Sequence, residues 1–196
     1  IRPRESGCCY SQAEFRVMQS DIDLALGLGA GGIAFAVLLE DGTIDRERCQ
    51  RLIDLAGQAE TVFHRAFDLT PDPFQALEQC IELGFTRIMT SGRTPTALDG
   101  TELIRELITR AAGRIEILPA GSIRAHNVET LLLKTGCSQI HASFSGKQQD
   151  ISALAGAGLD FRSRNPLPRE SFSVIDVQAI VGMKVKLAAI APEAGT

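Results

Sequence analysis

One frame recurs down this chain: a helix-ending glycine, then, four residues later, an isoleucine that opens an apolar run. It appears as LGAGGI over Leu28–Ile33, LGFTRI over Leu83–Ile88 and TGCSQI over Thr135–Ile140, and GRIEI over Gly113–Ile117 repeats the spacing. Glycine suits the left-handed backbone that follows a helix. The apolar runs begin near positions 33, 61, 87, 115 and 139. Successive starts therefore lie about 24 to 28 residues apart, the length of one strand–helix unit.

The stretches between the runs carry helix signals. Ser11 and Glu14 form a capping box ahead of Phe15, Met18 and Ile22 on one face. Asp72-Pro73 supplies a cap and a proline at the first helical position. Leu103, Ile104, Leu107, Ile108 and Ala111 make another inward stripe. The strands are short and nearly all apolar, as parallel strands covered by helices are. Six are expected, at Ile1–Arg4, Ile33–Leu39, Thr61–His64, Arg87–Thr90, Ile115–Leu118 and Gln139–Ala142.

Repeated strand–helix units build either a doubly wound sheet or a (β/α)8 barrel. The reading adopted is α/β, an incomplete TIM-barrel-like domain spanning 1–196. A barrel needs eight strands, so two further units, roughly 55 residues, are expected ahead of Ile1. Residues 146–170 read as a long loop and 174–191 as a closing helix. The two outer strands present open edges, which invite pairing with a second copy.

Hydrophobic residues make up 44% of the chain and charged residues 22%, an ordinary globular balance. The net charge of −4, without a basic block, argues against nucleic acid and anionic membrane as partners. The longest uncharged run, Leu24–Leu39, contains four glycines and is too short to span a bilayer. Five cysteines at scattered spacing do not form a disulfide framework, and reduced thiols point to a cytoplasmic setting. Cys49 and Cys80 lie on apolar helical faces and read as core thiols.

In a barrel, function collects at the C-terminal strand ends. Arg2 and Arg4, two apart, point to the same side of a strand and suit an anion, phosphate or carboxylate. Otherwise they are solvated or paired with a neighbouring acid. His64, Arg65 and Asp68 crowd one strand end. There His64 reads as a general base, a metal ligand, a hydrogen-bond donor or a structural histidine. Ser91 follows another strand, and His141, with Ser143 after it, ends the last. The turn Pro119–Ile123 joins strand to helix through Gly121 and Ser122 and exposes backbone N–H groups to a phosphate. Cys8 and Cys9, just before Tyr10, offer soft donors to copper or zinc, or simply pack. None of the four lysines ends a strand, which disfavours Schiff-base chemistry.

Taken in order, IRPR…CYS, DGTID, FHRAFD, TSG, ILPAGSI and IHAS resemble the CutC family of copper homeostasis proteins, over Ile1 to about Ser143. The resemblance implies a (β/α)8-like barrel, a cytoplasmic location and an attributed role in binding copper. It also implies a preceding segment that holds the first two strands and the family's proposed copper-ligand cysteines. The family usually continues IRPR with Gly-Gly-Asp-Phe, where this chain has Glu5-Ser6-Gly7-Cys8. Two functions follow as expectations: a copper-binding homeostasis protein, or an enzyme acting on a small anionic substrate at the barrel mouth.

Overall fold

The computed structural model describes residues 1–154 and 171–190. Contacts divide the chain into two compact units, Ile1–Ile123 with Asn127–Ala142, and Arg124–His126 with Ser143–Thr196.

The first unit holds a four-stranded parallel sheet made of Gly32–Phe35 (β1), Glu60–Phe63 (β2), Arg87–Thr90 (β3) and Glu116–Pro119 (β4), in that spatial order. The helices are Gln12–Gly27 (α1), Arg46–Ala56 (α2), Pro73–Leu83 (α3), Thr101–Ala111 (α4) and Val128–Thr135 (α5). Consecutive strands pair and helices connect them, which is the expected βα repeat. The Ser11–Glu14 capping box forms, and Phe15, Met18 and Ile22 are the buried residues of α1. Asp72 caps α3, and Gly84 closes it in the left-handed region at φ 87°.

The two faces of the sheet differ. Ile33, Phe35, Thr61, Phe63, Ile88, Thr90, Ile117 and Pro119 are all buried. Phe85 joins this layer, with its ring centroid 5.2 Å from that of Phe35 and 5.3 Å from that of Phe63. Cys49 and Cys80 are fully buried, as their helical stripes predict. The alternate residues Ala34, Val62, Met89 and Leu118 are only half-buried. At the N-terminal end of that second face, Arg87 bridges Glu60 and Glu116 and ties β2, β3 and β4 together.

Two expected strands are corrected. Ile1 donates one hydrogen bond to Ala34 O, but no ladder follows, so Ile1–Arg4 is not a strand. Pro3 lacks an N–H, and the Arg4 guanidinium turns to the carbonyls of Ser6 and Cys9. At the far edge, Gln139–Ala142 contributes a single parallel bridge, His141 to Ala120. This segment is largely exposed, so little apolar burial holds a longer ladder there.

In the second unit, Ser145–Gln149 (β5) pairs antiparallel with Ser171–Ile175 (β6), although 146–170 reads as a loop. The polar run SGKQQ carries no strand signal, and the pairing rests on backbone bonds rather than burial. Val177–Ile190 (α6) begins later than position 174 because Val174 and Ile175 belong to β6. Residues 155–170 of the expected loop and residue 191 of the expected helix lie outside the described residues. Among the described residues, no helix is long and apolar enough to cross a membrane.

Candidate functional site

The C-terminal ends of β2, β3 and β4 release His64, Ser91 and Ala120 at the same end of the sheet. The chain after β2 coils at once into a short 3₁₀ helix, Arg65–Leu69, with His64 as its cap. The strand therefore ends before Arg65, which frees His64 and Arg65 from strand alternation.

Asp68 organises the β2–β4 side. Its carboxylate side chain is 9% exposed and pairs with Arg65 Nε at 2.9 Å. It accepts from Ser91 N at 3.1 Å and Arg93 N at 3.2 Å, and also from Thr90 Oγ1, while the Ser91 hydroxyl, 3.0 Å away, has Thr94 O as its nearer acceptor at 2.6 Å. Arg65 Nη2 donates to Ser91 Oγ at 2.7 Å. With its lone pairs engaged by Arg65 Nε, Thr90 Oγ1, Ser91 N and Arg93 N, Asp68 is a positioning residue for Arg65 and the Ser91–Arg93 loop. Thr90 and Arg93, which flank Ser91 in the strand-end stretch TSGR, complete this arrangement.

The β4 turn lies against the same group. Gly121 has φ +121°, and a Cβ there would stand 3.2 Å from Ser91 Cβ and 3.7 Å from Arg65 Nη1. Ala97 N donates to Gly121 O at 3.0 Å, and Asn127 Nδ2 to Ser122 O at 3.0 Å. These bonds occupy the turn's carbonyls, while the N–H groups of Gly121 and Ser122 donate to nothing among the described residues. Arg65 Nη1 likewise has no partner there. Two free amides and one guanidinium nitrogen form a donor group suited to an oxyanion.

The β1–β2 side differs. His64 Nδ1 accepts from Ala66 N at 3.1 Å, which places the ring proton on Nε2. Among the described residues, Nε2 and Tyr10 Oη are both buried without a hydrogen-bond partner. A buried donor left unpaired costs about 1–3 kcal/mol. Burial, then the positive charge of Arg2, lower the His64 pKa to about 4. Burial also leads the rise of the Tyr10 pKa to about 12. Arg2 lies within electrostatic reach of His64, Tyr10 and Cys8, and it has no carboxylate partner among the described residues.

Arg4 is separated from Arg2 in role. It pairs with Glu14, bonds the carbonyls of Ser6 and Cys9, and lies 5.2 Å over the Tyr10 ring. It therefore holds the 4–14 segment together rather than forming a two-arginine clamp. His141 and Ser122 are exposed in the first unit, where His141 N bonds Pro119 O at 2.9 Å. Ser143 is exposed and belongs to the second unit.

The thiols do not assemble a metal centre. Cys8 is buried and Cys9 exposed. Burial raises the Cys8 thiol above its ordinary pKa and favours the protonated form, which is a poor metal ligand. Among the described residues, no group of three or more His, Cys, Asp or Glu is placed to hold an ion. Among the described residues, the donor set therefore offers no three-ligand centre for a copper ion.

Comparison with known proteins gives a consistent result. The model of the CutC family matches residues 1–146. A CutC family protein of Treponema denticola is 42% identical over 174 residues, covering 89% of this chain and 71% of the relative. Copper homeostasis protein cutC homologs of mouse and human are 45% and 44% identical over 143 residues. This chain spans 53% and 52% of their lengths, about half. The crystal structure of a CutC protein from Streptococcus agalactiae superposes with a TM-score of 0.69 at 32% identity, covering 72% of this chain and 69% of that one. An aldolase, QR15, reaches a TM-score of 0.53 at 20% identity over 68% of this chain and 63% of its own, a likeness of fold alone. The fold is α/β of the TIM-barrel type.

Proposed function

The chain belongs to the CutC family, and from that premise we propose that it holds a small oxyanion, phosphate in the first instance, at the C-terminal rim of its parallel sheet. The observation that carries this reading is the convergence of Arg65 Nη1 on Gly121, beside the unengaged amides of Gly121 and Ser122. Turns after late barrel strands are where phosphate sites collect in this architecture. Asp68 keeps Arg65 in place through its Nε, leaving the outer nitrogen for the ligand. Such a site serves binding, or turnover of an anionic substrate with the rim residues as its first contacts.

The test is a titration with inorganic phosphate, followed by calorimetry and by the backbone amide signals of Gly121 and Ser122. Saturable binding that Arg65→Gln weakens about tenfold or more supports the reading. Unchanged amide signals would remove it.

A second reading, that the protein takes part in copper homeostasis by binding copper, is favoured by the names of the mouse and human relatives. Its candidates in this chain are Cys8 and Cys9. Stoichiometric Cu(I) uptake abolished by Cys8→Ser together with Cys9→Ser would support it, and uptake unaffected by both would not. Five free cysteines fit a cytoplasmic setting for either reading.

A further inference from the structure

We propose that the Arg2–His64 corner of the rim is a carboxylate subsite, so that the natural ligand carries a carboxylate in addition to the phosphate-type group on the Gly121 turn. The inference rests on the anion-site reading above and narrows it to one ligand class: small compounds bearing both groups.

The argument starts from what this corner lacks. The Ala66 amide fixes the His64 ring so that Nε2 carries the proton, and that N–H is buried with nothing to receive it. A donor-only atom in such a place calls for an acceptor, which restricts the missing group to an oxygen-bearing one. The cation within reach is Arg2, which makes no salt bridge among the described residues. Tyr10 Oη, a second buried polar atom whose neighbour on this side is the Cys8 thiol, lies within electrostatic reach of the same guanidinium. One positive charge with neutral donors suits a group of one negative charge and two acceptor oxygens. Arg2 is itself exposed, so the dry contact in this corner is the buried His64 Nε2–H, and a phosphate with close to two charges is a poorer match than a carboxylate to one such donor and one arginine. The Gly121 turn offers the contrasting chemistry, with free backbone amides and an arginine nitrogen at an exposed serine.

Two titrations of the full chain test the proposal, with acetate and inorganic phosphate as probes. In long-range 1H–15N spectra of the histidine rings, acetate is expected to move the His64 Nε2 signal saturably. Phosphate is expected to move the Gly121 and Ser122 amides and leave the His64 ring unmoved. His64→Asn keeps an acceptor for the Ala66 amide but removes the Nε2–H. It should weaken acetate about tenfold and leave phosphate within about twofold. Arg2→Gln should do the same. Ring signals that ignore acetate overturn the proposal in the wild-type protein, whatever the variants do. So does phosphate that moves the ring and displaces acetate, since that describes one site rather than two. If acetate moves the ring while phosphate leaves the turn amides unmoved, the carboxylate subsite stands and the phosphate reading fails.

Discussion

The two sides of the rim are built from similar residues and are in opposite states. Around Asp68, the carboxylate meets Arg65, Thr90, Ser91 and Arg93, and each finds a partner. Around His64, buried donors stand next to an arginine that has no acid to pair with among the described residues. The first arrangement is scaffold: it spends its polar groups on holding loops in place. The second leaves polar groups unspent, and in a native protein such groups call for an explanation.

The comparison breaks first at Asp68. Asp68→Ala strips the acceptor from several part-buried donors at once and frees Arg65. A loss of about 3 kcal/mol in urea unfolding is expected, with phosphate binding abolished. If the variant were as stable as the wild type, the Asp68 side would not be the scaffold described.

His64 gives the next largest effect, and it appears only in acid. The folded state holds this pKa at about 4, against an ordinary value of 6.5. Between those values the unfolded chain takes up a proton that the folded chain refuses, so stability rises with pH across that window. The contribution is fully present above pH 6.5 and is lost as pH falls toward 4, by at most about 3 kcal/mol. The difference between wild type and His64→Asn, measured by urea unfolding from pH 7 to pH 4, removes the background of carboxylates titrating in both. A difference that does not change with pH would show that His64 is not held neutral by its surroundings.

Gly121→Ala sharpens the comparison from the Asp68 side. A side chain at φ +121° is strained, and its Cβ would press on Ser91 at 3.2 Å. About 1–3 kcal/mol of stability should go, together with phosphate affinity. The acetate response of His64 should survive, because Gly121 belongs to the other half of the rim.

The helices and the four central strands were legible because their signals are local: caps, a glycine after a helix, apolar runs at fixed spacing. Strand ends were legible too, so His64, Ser91 and Gly121 could be named as candidates. The Asp68 arrangement was not, because its partners at positions 90, 91 and 93 lie more than 20 residues away in sequence. A carboxylate four residues beyond a histidine reads equally well as catalyst or as anchor. Arg4 misled for a related reason. Strand alternation pairs it with Arg2, but Glu14 claims it from the first turn of α1. The β5–β6 pair was missed because β5, SGKQQ, is polar throughout, and the apolar residues of β6, SFSVI, run straight into the helix that follows.

The smallest effect decides whether the His64 side is as unsatisfied as it is drawn. Tyr10 is 3% exposed, and its hydroxyl is buried without a partner. Removing a buried hydroxyl that bonds to nothing relieves a desolvation penalty and leaves the ring's packing and its contact with Arg4 in place. Tyr10→Phe should therefore leave stability unchanged or raise it by up to about 1 kcal/mol in urea unfolding. A hydroxyl bonded to ordered water or to the Cys8 thiol would give the opposite sign, a loss of about 1 kcal/mol. In that case the ligand would find one donor in this corner rather than two, and the match to the paired oxygens of a carboxylate would rest on His64 and Arg2 alone.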